Sequence, residues 1–127
     1  MTLQPRGTSV SAAVQTQTGW GRILGSFSEW CRVHPGWRVL DVGCGPGLLP
    51  ALFAQSGCQA FGLDLDEASF IPPRLHPALL QANALHLPFP ERSFHLVTAS
   101  NLLFLLPRPL PALCEMARLA RDDGWVA

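Results

Sequence analysis

The residues of this chain best suited to chemistry gather in one short segment, Asp41-Val-Gly43-Cys-Gly45-Pro-Gly47. Glycines at alternate positions allow positive φ and let a ligand approach the main chain with no Cβ in the way. A helix starting directly after them would turn its first N–H groups and the positive end of its dipole toward that ligand. Such groups suit a pyrophosphate, and they suit equally the carboxylate of an amino-acid moiety. Asp41, two residues before the first glycine, favours the second reading, because a carboxylate repels a pyrophosphate but attracts an α-ammonium group. A second acid, Asp64, stands 21 residues after Gly43. At the end of a strand it could accept hydrogen bonds from vicinal ribose hydroxyls. Leu65 follows it and could pack on a purine face. Asn83, next to Ala84, can both donate and accept at the polar edge of adenine. Ser100 stands where it would border the amino-acid end of such a ligand. A structural alternative stays open for each: a tight turn for the glycines, a solvated acid for Asp64, core packing for Leu65, an Asx turn for Asn83.

Other chemistries find less support. The four cysteines, Cys31, Cys44, Cys58 and Cys114, show no CxxC spacing, so no metal site and no disulfide framework is expected. His34, His86 and His95 are candidate bases, but nothing converges on any one of them, and no catalytic residue is assigned. Nine Lys and Arg balance nine Asp and Glu, and no basic stripe of the kind that marks nucleic-acid binders is visible. The N-terminus lacks the apolar core of a signal peptide. No apolar run approaches the roughly 18 residues of a membrane span. The expectation is a cytoplasmic protein with no membrane or nucleic-acid partner. Hydrophobic residues make up 48% of the 127 residues, enough for the core of one small domain.

The elements that must position these residues follow from apolar periodicity and turn chemistry. Residues 1–18 are polar and read as a flexible segment, leaving 19–127 as the domain. Trp20, Ile23, Leu24, Phe27, Trp30 and Cys31 recur at helical spacing, predicting a helix over 19–33 that His34-Pro35-Gly36 breaks. Trp37 to Val42 reads as a buried strand. A helix over 47–56 follows, with Pro50 tolerated in its first turn and Gly57 just past its end. Gln59–Leu65 reads as a second strand. The stretch 66–78 carries three prolines, Pro72, Pro73 and Pro77, so any helix there is short. Leu79–Gln81 and Phe94–Ala99 read as strands, Leu87–Pro90 as a loop, and Leu110 to Ala120 as a helix. Asp122-Asp123-Gly124 reads as a turn into a fifth strand at Trp125. This alternation with short connections predicts a parallel α/β sheet. In such sheets ligands bind beyond the carboxyl ends of the strands, which is where the candidate residues fall.

Taken together, these residues resemble the class I S-adenosylmethionine-dependent methyltransferases, most closely the small-molecule type known as type 11. The glycine segment is similar to that family's first motif, and Phe61-Gly-Leu-Asp-Leu-Asp66 to its acidic second-strand motif. The stretch from Asn83 to Val97 is similar to its adenine contact and fourth strand, and Pro111 to Val126 to the helix, turn and fifth strand that follow. The resemblance implies a Rossmann-like three-layer sandwich with a mainly parallel sheet in the order 3-2-1-4-5. It implies S-adenosylmethionine as cofactor and a small-molecule methyl acceptor. Asp41, Gly43, Cys44 and Gly45 would surround the methionine end, with Gly47 closing the same turn. Asp64 would bind the ribose, and Leu65, Asn83 and Ala84 would frame the adenine. The helix from Trp20 to Cys31 corresponds to one that often covers the cofactor. Asn83 and His95 depart from the family, which more often has Asp at both places. Against the family's seven strands, the chain stops inside the fifth. An uncovered edge would favour a homodimer or a partner. That shortfall keeps a second reading open: a non-catalytic S-adenosylmethionine-binding module or fragment acting through a partner. A nicotinamide dehydrogenase would want glycine at position 48, which is Leu48. Ser100-Asn-Leu-Leu stands where enzymes that methylate nucleic-acid amino groups carry Asn-Pro-Pro-aromatic.

Overall fold

The computed structural model describes residues 18–67, 70, 78–100 and 102–127. The segment expected to be flexible, except for Thr18, and most of the proline-rich stretch lie outside the described residues. The elements run α1 (Thr18–Trp30), β1 (Arg38–Val42), α2 (Leu48–Gln55), β2 (Gln59–Asp64), β3 (Leu79–Gln81), β4 (Phe94–Thr98), a 3-10 turn (Leu103–Leu105), α3 (Leu110–Leu119) and β5 (Ala120–Val126). The strands form one sheet in the order β3-β2-β1-β4-β5, with every pairing parallel.

The central strand β1 is apolar on both sides because helices cover both of its faces. Successive side chains point to opposite faces. Val39 therefore joins Ala60 and Leu96 beneath Leu24 of α1 and Leu49 and Phe53 of α2. Leu40 and Val42 join Leu63, Phe94 and Val97 beneath Met116 and Leu119 of α3. Fully burying such a side chain contributes about 1.5–3 kcal/mol. The second face is also braced by Phe61, Phe89 and Phe94, packed edge to face.

Several boundaries differ from the sequence reading: β1 starts at Arg38, α2 spans Leu48–Gln55, β2 ends at Asp64 and α3 at Leu119, each within one residue of it. The first helix ends at Trp30 rather than at residue 33, because Arg32 adopts a left-handed conformation (φ 50°) before Pro35 is reached. The fourth strand stops at Thr98. The fifth strand begins at Ala120, ahead of the expected turn. Its ladder with β4 slips from Phe94↔Ala120 to Leu96↔Trp125, so the intervening residues bulge out of register. Gly124 fits there because a Cβ would lie 2.9 Å from the His95 carbonyl oxygen.

Candidate functional site

Parallel register brings the carboxyl ends of β1, β2 and β3 to one edge, with Val42 beside Leu63 and Asp64 beside Gln81. The glycine turn leaves β1 at this edge. Its Cys44 N–H donates to the Leu63 carbonyl (2.8 Å), and its Gly47 N–H donates to the Cys44 carbonyl (3.0 Å). Gly43, Gly45 and Gly47 all take positive φ (71°, 55° and 91°), a conformation that side-chain-bearing residues rarely adopt. Two of them differ in their surroundings. A Cβ on Gly43 would meet the Leu102 Cβ at 2.8 Å, whereas at Gly45 nothing lies within 4 Å. Gly47 precedes α2 with no side-chain cap on the helix.

A cleft with about 380 Å³ of empty space opens at this edge. It brings together Gly43, Asp64, Leu65, Asn83 and Ala84, with Leu102 and Leu106 on the facing wall. The Asp64 carboxylate is fixed by main-chain donors: Gly45 N–H to Oδ2 (2.8 Å) and Asp66 N–H to Oδ1 (3.0 Å). Each oxygen keeps a second lone pair for a ligand. Leu65 is exposed on the rim. Asn83 accepts the Leu85 N–H at its Oδ1 (2.9 Å), which is the Asx turn kept open above. Its amide NH₂ remains as the hydrogen-bonding group for a ligand.

The other sequence candidates stand around the cleft rather than in its wall. Asp41 is 2% exposed. Its Oδ1 accepts the Thr98 hydroxyl at 2.7 Å, and the Ser100 main chain donates to it as well. Burial pushes its carboxyl up to about 7, and the nearby Asp64 charge adds to the rise while the two donors oppose it. Ser100 therefore meets Asp41 through its backbone. Cys44 is buried, and its thiol is pushed up to about 12 by burial and then by the Asp41 and Asp64 charges. That thiol folds toward Gly62, where a Cβ would meet its Sγ at 2.8 Å. It is inert by the usual criterion for thiol reactivity, and its main chain is what it offers to the turn.

The candidate bases separate by position. His95 lies near the amino end of β4. Its Nδ1 accepts the Arg38 N–H (3.0 Å) and its ring stacks on Trp37, so the imidazole is the acceptor at this position. His34 packs against the same Trp37. Both lie at the opposite end of the sheet from the cleft. His86 alone is near the rim, where its N–H donates to the Asn83 carbonyl (3.0 Å). Among the described residues no group of three or more His, Cys, Asp or Glu could hold a metal ion. The sequence reading passed over Thr98, Leu102 and Leu106. A signal for Thr98 was present, since a hydroxyl residue in an apolar strand calls for a buried partner. The leucines lie in an apolar stretch whose sequence alone assigns them no place in a site.

Residues 40–127 match a family described as a methyltransferase domain. The chain belongs to this methyltransferase family. It is 34% identical over 111 residues to the ubiquinone biosynthesis O-methyltransferase of Bordetella bronchiseptica, covering 81% of the chain and 46% of that relative. The protein of the same description from Albidiferax ferrireducens is 33% identical over 131 residues, covering 84% and 51%. Among solved structures, the YcgJ protein of Bacillus subtilis shares the fold with a TM-score of 0.70 at 24% identity, covering 81% of this chain and 47% of that one. This methyltransferase chain thus spans about half the length of the curated relatives it matches. No helix among its described residues is long and apolar enough to cross a membrane.

Proposed function

We propose that this chain binds S-adenosylmethionine across the carboxyl ends of β1, β2 and β3, and that the protein methylates a hydroxyl oxygen of a small-molecule acceptor. The observation that carries the reading is the Gly45 N–H to Asp64 bond, which holds an acid at the cleft against a glycine turn open at Gly45. The donor set suits each part of the ligand. Asp64 offers acceptor lone pairs to ribose hydroxyls. The Asn83 NH₂ and the Ala84 main chain suit the adenine edge, with Leu65 against its face. Gly45 leaves room for the amino-acid arm, while Gly43 packs closely against Leu102 and turns the main chain, with Asp41 and Ser100 behind the turn for the ammonium end. The first N–H groups of α2 suit its carboxylate. Cys44 and Gly47 serve the turn through their main chains.

When bound, S-adenosylmethionine supplies a methyl group already activated by a positive sulfur. The chain's own part is to hold both reactants in line, a contribution of up to roughly 7–11 kcal/mol in favourable cases. The description of the relatives as O-methyltransferases supports a hydroxyl acceptor. The balanced charge weighs against a nucleic acid.

Titration calorimetry with S-adenosylmethionine should give saturable binding, weakened at least about tenfold in Asp64→Ala by loss of a charged hydrogen-bond acceptor. Transfer of a labelled methyl group to a panel of phenols and catechols should follow. A folded chain that fails to bind the cofactor overturns the reading. Binding without transfer to any hydroxyl acceptor overturns its O-methylation half and favours the module acting through a partner.

A further inference from the structure

Resting on that cofactor reading, we infer that Asp41 and Thr98 form a proton-linked receptor for the ligand's α-ammonium group. The buried carboxyl is protonated in the free protein on the acid side of neutrality and releases its proton to solvent when the ammonium binds. Asp41 is 2% exposed, and its hydrogen-bond donors, the Thr98 hydroxyl and the Ser100 main chain, are both neutral. Taking a carboxylate out of water without a cation costs several kcal/mol. Two neutral hydrogen bonds return less than that.

Among the described residues, the groups around it supply no counter-charge. Asp64, at the end of β2, repels a second negative charge. The Cys44 thiol in the glycine turn and the Cys31 thiol beyond α1 are pushed up to about 12 and about 11, so both stay protonated. No titratable residue lies in α2, whose sequence is LLPALFAQ. On α1, Arg22 and Glu29 are exposed. At the far end of their strands, the Arg38 guanidinium of β1 donates to the Ser93 carbonyl, and His95 of β4 accepts the Arg38 main-chain N–H. The carboxyl's rise to about 7 agrees with these surroundings.

Thr98 suits both protonation states. Its Oγ1 lies 2.7 Å from Asp41 Oδ1 and 3.4 Å from the Leu40 carbonyl oxygen. With Asp41 ionised, the hydroxyl donates to the carboxylate. With Asp41 protonated, the carboxyl O–H donates to Oγ1, and the hydroxyl turns its own hydrogen toward Leu40. The exchange balances: a neutral carboxyl and an ammonium become a carboxylate–ammonium pair plus one proton in solvent. Thr98 is a positioning residue in this scheme, and Asp41 is the ligand-binding group.

The test compares S-adenosylhomocysteine, which carries the ammonium, with 5′-methylthioadenosine, the same nucleoside without the amino-acid arm. Calorimetry on the intact chain in buffers of different ionisation enthalpy gives affinity and proton release together. S-adenosylhomocysteine should bind about tenfold more weakly at pH 6 than on its plateau above about pH 8, with close to one proton released at pH 6. Binding of 5′-methylthioadenosine should not change with pH, which also controls for Asp64, since both ligands carry the ribose. Asp41→Asn should abolish proton release. Thr98→Val should move the affinity profile to higher pH, and Thr98→Ser should restore it. The same pH dependence for both ligands, or no proton release with S-adenosylhomocysteine at pH 6, overturns the inference. Failure of both ligands to bind overturns the cofactor reading instead.

Discussion

At the scale of single residues, the buried Asp41 carboxyl makes stability depend on pH. Its folded carboxyl is raised from 3.8 to about 7, so its contribution to stability is full below about pH 4 and is lost as pH rises through 7. The free chain should therefore lose a few kcal/mol between pH 5 and pH 8 on this account. Asp41→Asn keeps an acceptor for Thr98 but cannot ionise. Its melting temperature should exceed the parent's at pH 8 and approach it at pH 5; equal melting at pH 8 would contradict the argument. Gly43→Ala makes a second test, since its Cβ would fall 2.8 Å from Leu102 at φ 71°. Strain of this kind costs about 1–3 kcal/mol, and thermal melting should show it together with weakened ligand binding. Asp41, Gly43, Asp64 and Asn83 could be singled out as candidates in the sequence because residue type and spacing suggest their chemistry. Thr98 could not be assigned a role there, because its partner is set by the register of Asp41 against β4.

At the scale of elements, one staple holds the loop that follows Asn83 and Ala84. Arg118 on α3 forks onto Glu115 (Nε to Oε1 2.7 Å, Nη2 to Oε2 2.9 Å) and donates to the carbonyls of Phe89 and Leu87. Glu115 accepts the Leu87 N–H in turn (2.9 Å). A lysine keeps the charge but not the planar fork. Arg118→Lys should cost about 1 kcal/mol, and Arg118→Ala about 1–3 kcal/mol as carbonyls and carboxylate lose their donor. The hydrogen bond from Arg118 holds the Glu115 carboxyl down to about 2. That stabilisation is present above about pH 4.5 and lost as pH falls toward 2. Urea unfolding should therefore show the gap between parent and Arg118→Ala narrowing from pH 7 to pH 3, whereas an unchanged gap would assign the loss to packing. The elements themselves were largely legible, because β1 to β4, α2 and α3 are marked by local apolar runs and by Gly or Pro at their ends. The bulge in β5 was not, since it comes from pairing with β4 rather than from local sequence.

At the scale of the molecule, the sheet ends at β5, which pairs with β4 alone among the described strands. A row of backbone donors and acceptors on such an edge is a template for another chain. Beside it, Trp30, Trp37, Leu96, Trp125 and Val126 line an open groove on the face that carries α1 and α2. Trp125 is 65% exposed and Trp30 is 70% exposed. Apolar surface gathered along a free strand edge favours association. The 127-residue chain should therefore self-associate, with a sedimentation coefficient that rises with concentration. Trp125→Glu places a charge on that edge and empties no core site, so it should suppress association while leaving the melting temperature nearly unchanged. The groove shares no lining residue with the cleft beside the glycine turn, so the nucleoside binding proposed there should be the same in the variant. A sedimentation coefficient independent of concentration would rule out this edge as a contact surface. Association that survives Trp125→Glu would move the contact to the other apolar patch, where Phe104 and Leu105 are 75% and 64% exposed beside the cleft.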